Sequence, residues 1–131
     1  MDSRAKNIFY WFNDEGDPVP LTTEEFLELS AKNPFRDKRR FIGNTKVGDY
    51  TVSTVFLIIN HAFNGGIPVL YETMIFDKED KPVDFGEMTD LQHFSIEVLG
   101  QIRRYATKTG AIDGHKEAVA FVKRLVEEEK F

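Results

Sequence analysis

The chain has 131 residues, a net charge of -5, 41% hydrophobic and 30% charged residues, and no cysteine. That balance describes one globular domain, residues 1 to 131, which can bury roughly two thirds of the surface its unfolded form exposes without a disulfide or a structural metal. Thiolate catalysis, cysteine-ligated zinc and a disulfide framework are excluded. The opening residues MDSRAKNIFYWFNDEG carry no basic stretch followed by an apolar one, and the longest strongly apolar run, Val55 to Ile59, is far short of a membrane span, so a cytoplasmic location is expected. The composition is unusual in holding 12 Phe against one Trp and four Tyr, which points to a well-filled core or an aromatic interface.

Residues 7 to 12 (NIFYWF) predict a strand that ends in the turn formers Asn13 to Pro18. Thr22 followed by Glu25 is a capping box, and Phe26, Leu27 and Leu29 supply the apolar stripe of a helix over residues 23 to 32 that stops at Asn33-Pro34. The basic patch Arg36 to Arg40 leads into Phe41 to Val47. Tyr50 to His61 (YTVSTVFLIINH) reads as a central strand, yet at roughly 40 Å it is about twice the usual length, which predicts a bend or a bulge. After Asn64-Gly65-Gly66, Pro68 to Phe76 is its hairpin partner, with proline at the tolerated first position. Residues 77 to 90 are acidic and read as an exposed loop. Residues 91 to 105 fit both a helical and an alternating period, in which Gly100 is either a bulge or a helix flaw, and a strand over 95 to 105 is the reading adopted. Thr107 caps a final helix to about Glu129, roughly 33 Å long, in which Ala111, His115, Ala118, Val119, Val122 and Val126 share a face and Gly114 allows close approach to the sheet.

These elements predict an α+β fold: a mainly antiparallel sheet of four or five strands, the long C-terminal helix across one face, and the short N-terminal helix at an edge or on the other face. Both faces of the central hairpin are apolar. One carries Val55, Leu57, Ile59, Leu70, Met74 and Phe76, the other Val52, Phe56, Ile58, Val69, Tyr71 and Ile75. One helix covers only one of them, so a homodimer formed through the second is an expectation.

Several of these residues resemble a family. Val52-Ser53-Thr54-Val55-Phe56-Leu57 with His61, then Pro68, Leu70, Glu72-Thr73-Met74 and Phe76, and later Arg104-Tyr105, Thr107, Ala111 and Gly114-His115, are similar to the signature of small uncharacterised proteins of phages, prophages and phage-like regions of bacterial genomes. The matching blocks cover residues 47 to 76 and 104 to 122, a little over a third of the chain. Where that pattern has Gly-Leu-Asp before the histidine, this chain has Ile58-Ile59-Asn60, and its stretch between Phe76 and Arg104 is longer. The resemblance implies a phage-related α+β protein in the host cytoplasm, while small size, acidity, the two-sided apolar hairpin and the lack of a catalytic constellation lead to the expectation of an accessory protein that binds a host or phage protein. The resemblance carries no activity.

Three polar residues in apolar runs are the candidate catalytic or metal-ligating groups: His61, Glu72 and His115. Pairing 57 with 72 and 61 with 68 sets His61 and Glu72 about four residues apart, roughly 13 Å, too far to share one metal. The economical expectation is a buried hydrogen bond from His115 to Glu72, because a covered carboxylate needs a partner. The alternative is a small-molecule or hydrolase-like site built on Glu72 and His115. His93 is given no role. No phosphate-cradling glycine loop, G-x-S-x-G elbow or EF-hand spacing is present, so no cofactor is expected. The patch Arg36 to Arg40 reads as a solvated turn, and neither nucleic acid nor membrane is expected as a partner. The leading functional expectation is protein binding.

Overall fold

The computed structural model describes residues 8–62, 67–84 and 97–129. Its strands are β1 (Phe9–Phe12), β2 (Pro18–Leu21), β3 (Phe41–Val47), β4 (Tyr50–Phe56), β5 (Tyr71–Phe76), β6 (Glu97–Leu99) and β7 (Ile102–Tyr105), with helices α1 (Thr23–Ser30) and α2 (Lys108–Glu129). The predicted α+β class holds: β3 to β7 form one antiparallel sheet in the order β3-β4-β5-β7-β6, and α2 lies across β3, β4, β5 and β7. The expectations about Asn64-Gly65-Gly66 and His93 lie outside the described residues.

A second, two-stranded sheet of β1 and β2 is an addition to the predicted plan. The prolines that hid β2 are compatible with it. The Tyr10 N–H turns away from Pro20, its pairing partner, to the Ile58 carbonyl at 2.8 Å, so the prolines stand where a missing N–H costs no ladder bond. Asn13 accepts from the N–H groups of Glu15 and Asp17 and closes the turn. The capping box of α1 is formed in both directions, Thr22 N–H to Glu25 at 2.9 Å and Glu25 N–H to Thr22 Oγ1 at 3.1 Å. The helix seats on the hairpin, with Phe26 stacked on Phe9 at 3.7 Å, and not at an edge or on the second face of the main sheet as expected.

The overlong run from Tyr50 bends as predicted. β4 stops at Phe56, and Ile58 takes a left-handed backbone conformation, φ 70°, although it is β-branched and 1% exposed. The chain then pairs with β1 through Phe9 and Ile59, and the Asn60 side chain accepts from the N–H groups of Ala62 and Val69, both at 2.9 Å. The acidic stretch after β5 starts as a tight turn, with Asp77 accepting from Glu79 and Lys81, and folds back so that Val83 N–H reaches the Ile75 carbonyl. Gly100 belongs to the turn between β6 and β7, not to a bulge.

Alternation across the sheet sets three rows beneath α2. Val52 and Ile75 form an apolar row with Ala118 and Val122 of α2 against it. Gly43, Thr54, Thr73 and Arg103 form a second row in register. Phe56, Tyr71 and Tyr105 form a third, aromatic row that continues to Tyr10 and Ala111. Each aliphatic side chain fully buried here contributes about 1.5 to 3 kcal/mol. The opposite face carries Ser53, Val55, Glu72, Met74 and Arg104, all half-buried.

The helix comes very close to the sheet. A Cβ at Gly114 would lie 2.3 Å from the ring of Tyr105, which is fully buried and has nowhere to move. Gly114→Ala gains about 1 kcal/mol of helix propensity but forces an overpacking cost of about 1 to 3 kcal/mol. Net destabilisation in urea unfolding is therefore expected, and a variant as stable as the parent would contradict this packing.

Candidate functional site

The three sequence candidates are not brought together. His115 sits in the polar row, 9% exposed, with Nε2 2.9 Å from Thr45 Oγ1 and Nδ1 2.7 Å from Thr54 Oγ1, and Thr54 is in turn 2.6 Å from Thr73 Oγ1. A Cβ on Gly43 would fall 2.5 Å from Nε2, so the ring lies directly on bare backbone. Both nitrogens are therefore occupied by hydroxyls. The expected His115 to Glu72 bond is corrected: Thr73 faces α2, so its neighbour Glu72 points to the other side of β5, where it meets Arg104 Nε at 3.1 Å. The observed register pairs Glu72 with Val55, not Leu57. His61 lies beyond the bend at Ile58, with its N–H donated to the Val69 carbonyl. Among the described residues no group of three or more His, Asp or Glu side chains is placed to hold a metal.

The chemistry of His115 follows from its surroundings. A neutral ring donates from one nitrogen and accepts at the other, and the threonine hydroxyls rotate to suit either tautomer. The charged side chain on the same sheet face, Arg103, is itself a cation buried in the same row. Burial pushes the His115 imidazole below its ordinary value. Tyr71, in the adjoining aromatic row, is held protonated, because burial, with the charge of Asp17 adding, raises its hydroxyl to about 12. Neither group lines the groove between the β1–β2 hairpin and α1.

A groove of about 610 Å³ lies elsewhere, between the β1–β2 hairpin, α1 and the turn that follows it. Trp11, Leu21, Leu29 and Pro34 give it an apolar floor, and Glu25, Glu28, Lys32, Arg36, Asp37 and Arg39 give it a charged rim. Glu25, Glu28 and Leu29 recur at the spacing that aligns one helix face, so the short α1 turns a single side towards the groove, and Lys32 follows in the turn after it. Asn33, in the left-handed conformation at φ 54°, reverses the chain so that residues 34 to 39 form the other wall.

The basic patch makes that wall, and its cations have separate tasks. Arg40 is structural, donating from Nε to the Phe56 carbonyl and from Nη1 to the Phe35 carbonyl, both at 3.0 Å. Asp37 accepts from Arg39 Nε at 3.0 Å and Nη2 at 2.8 Å, and these bonds hold the Asp37 carboxyl below the usual carboxylate range. The guanidinium so fixed lies 5.4 Å from the Trp11 ring centroid and 5.2 Å from that of Phe12. Sequence reading missed this site because its parts come from four short segments. The signals present were the lone tryptophan beside a turn and the dense cations of residues 36 to 40.

The depressed imidazole fixes a pH dependence. The unfolded chain protonates His115 near the ordinary value of about 6.5 and the folded chain only below it, so its contribution to stability is complete above about 6.5 and is lost as pH falls through the folded value. Unfolding measured from pH 8 to 4 is expected to show this loss in the parent and in Glu72→Gln and to lack it in His115→Gln. Parallel curves for the parent and His115→Gln would contradict the buried neutral ring. A scan against protein-family models gives no match for this chain, and neither does a search of curated proteins or of solved structures.

Proposed function

We propose that this chain is a phage-related accessory protein that works by binding another protein, taking a segment of that partner into the groove between the β1–β2 hairpin and α1. The observation that carries this reading is the groove itself: an apolar floor within a rim where Glu28, Lys32 and Arg36 have no ion-pair partner among the described residues. A cavity of this volume falls in the range typical of ligand pockets. The catalytic alternative has less support, since His115 is closed in by threonine hydroxyls and Glu72 lies across the sheet, bonded to Arg104. The phage association rests on the two sequence blocks quoted above, and the absence of any described helix long and apolar enough to cross a membrane is compatible with it.

Glu28→Trp tests the reading, because an indole introduced at this exposed rim position fills the groove whatever the chemistry of its occupant. Affinity capture from a lysate of the source cell, quantified by mass spectrometry, is expected to lose the proteins retained by the parent, while Lys123→Ala on the exposed side of α2 keeps them. Equal retention by the parent and Glu28→Trp would overturn the proposal.

A further inference from the structure

We infer that the groove recognises a carboxylate, and that its occupant is the C-terminal residue of a partner chain, apolar in side chain, with Arg39 as the anchor. This rests on the docking reading above and names the chemistry of the docked segment.

Arg39 carries the inference. Asp37 binds the side edge of the guanidinium, Nε and one Nη2 hydrogen, which leaves the end-on edge formed by Nη1 and Nη2 without a partner among the described residues. That edge is the fork that takes a carboxylate through two parallel hydrogen bonds. It is also held in place: Asp37 itself accepts from the Arg39 N–H at 2.9 Å, and the guanidinium carbon lies over the rings of Trp11 and Phe12. An arginine fixed before binding loses less side-chain freedom on binding than a mobile one, and the bond it makes is correspondingly more selective.

The fork, and not the net charge of the lining, decides the sign of the ligand. Arg39 and Asp37 form one ion pair, and Glu25, turned back to the Thr22 N–H in the capping box, keeps its charge. The remaining charged groups of the lining are Lys32 and Arg36 against Glu28. The lining is therefore balanced, three acids against three bases, and a cationic ligand is disfavoured because the fork only donates and Arg39 lies over the Trp11 ring that would otherwise attract it. A carboxylate accepts from both nitrogens of the fork. Because the apolar floor and the fork lie in one groove, a chain-terminal residue satisfies both at once, its side chain on the floor and its carboxylate on the guanidinium. An internal Asp or Glu presents its carboxylate without an apolar side chain on the same residue.

The lone tryptophan lies in the groove, so its fluorescence reports occupancy directly. The probes are an acetylated Gly-Ser-Ala-Leu tetrapeptide with a free C-terminal carboxylate, the same peptide as its amide, and an acetylated Gly-Asp-Ala-Leu amide carrying an internal acid. The free carboxylate is expected to bind at least about tenfold more tightly than either amide, to weaken as salt is raised, and to lose that advantage in Arg39→Lys, which keeps the charge and removes the fork. Circular dichroism of Arg39→Lys checks that the fold is intact, and Arg36→Gln, which leaves the Trp11 contact untouched, is expected to weaken the acid peptide selectively. Equal binding of acid and amide overturns the carboxylate inference and leaves the docking proposal standing. Equal or tighter binding of the internal-acid peptide overturns the C-terminal assignment. Failure of every peptide to change Trp11 fluorescence overturns the inference, and the docking proposal is then judged separately by the Glu28→Trp capture.

Discussion

The placement of α2 depends on one close contact, that of the His115 ring with the backbone of Gly43 and the hydroxyls of Thr45 and Thr54. A polar ring under a helix needs partners for both nitrogens, because an unsatisfied buried nitrogen costs about 1 to 3 kcal/mol. The only geometry that supplies them here brings the helix down onto the sheet. The residues buried along that side of α2 are accordingly small or slender, Ala111, Gly114, Ala118 and Val122. The bulge in β3 between Phe41 and Gly43 belongs to the same solution, since it helps set bare backbone opposite Thr54, where the ring must lie. The threonines of the polar row thus act as a positioning device for the helix, and their pairing across β4 and β5 ties the helix position to the strand register.

A helix so close to the sheet leaves little room for large aromatic groups beneath its middle, and the aromatic load gathers where β4 leaves the sheet. Phe56 contacts Trp11, Phe12 and Tyr71, while Phe9 stacks on Phe26. These contacts join the β1–β2 hairpin and α1 to the main sheet through the bend at Ile58. A β-branched residue in the left-handed region costs on the order of 1 to 3 kcal/mol. Burial of its side chain and the backbone bond from Tyr10 to its carbonyl offset that cost. The bend is therefore maintained by the hairpin, and the hairpin in turn is anchored by the bend.

Much of this was legible in the residues. The capping box at Thr22 and Glu25, the cap at Thr107, the helical face of Ala111 to Val126 and the close approach at Gly114 are local patterns, and local patterns survive folding when tertiary contacts agree with them. The excessive length of the run from Tyr50 announced the bend without saying how it would be made. What the sequence could not disclose was register and sidedness. Moving Glu72 from opposite Leu57 to opposite Val55, and assigning Thr73 rather than Glu72 to the helix side, replaced a histidine–carboxylate pair by two separate arrangements. Pro18 and Pro20 concealed β2 because proline tells against a strand except at an edge, and edges are known only once the sheet is assembled.

The separation of His115 from Glu72 also explains why the functional reading moves to the hairpin side of the molecule. Groups buried to position a helix are poor candidates for chemistry: their hydrogen bonds are already made, and breaking them to admit a substrate would loosen the contact on which the helix depends. The α1 side has the opposite character. α1 has no buried residue, and the groove walls are a short helix, a reversed turn and a hairpin strand joined by side-chain contacts. Its cations divide accordingly. Arg40 holds the turn to the end of β4, and Arg39 is held against Trp11 by Asp37, so the turn is fixed to the sheet while the outer edge of one guanidinium stays turned away from its carboxylate. Rigid support behind an uncommitted hydrogen-bonding edge is the arrangement that favours selective binding over a solvated charge cluster.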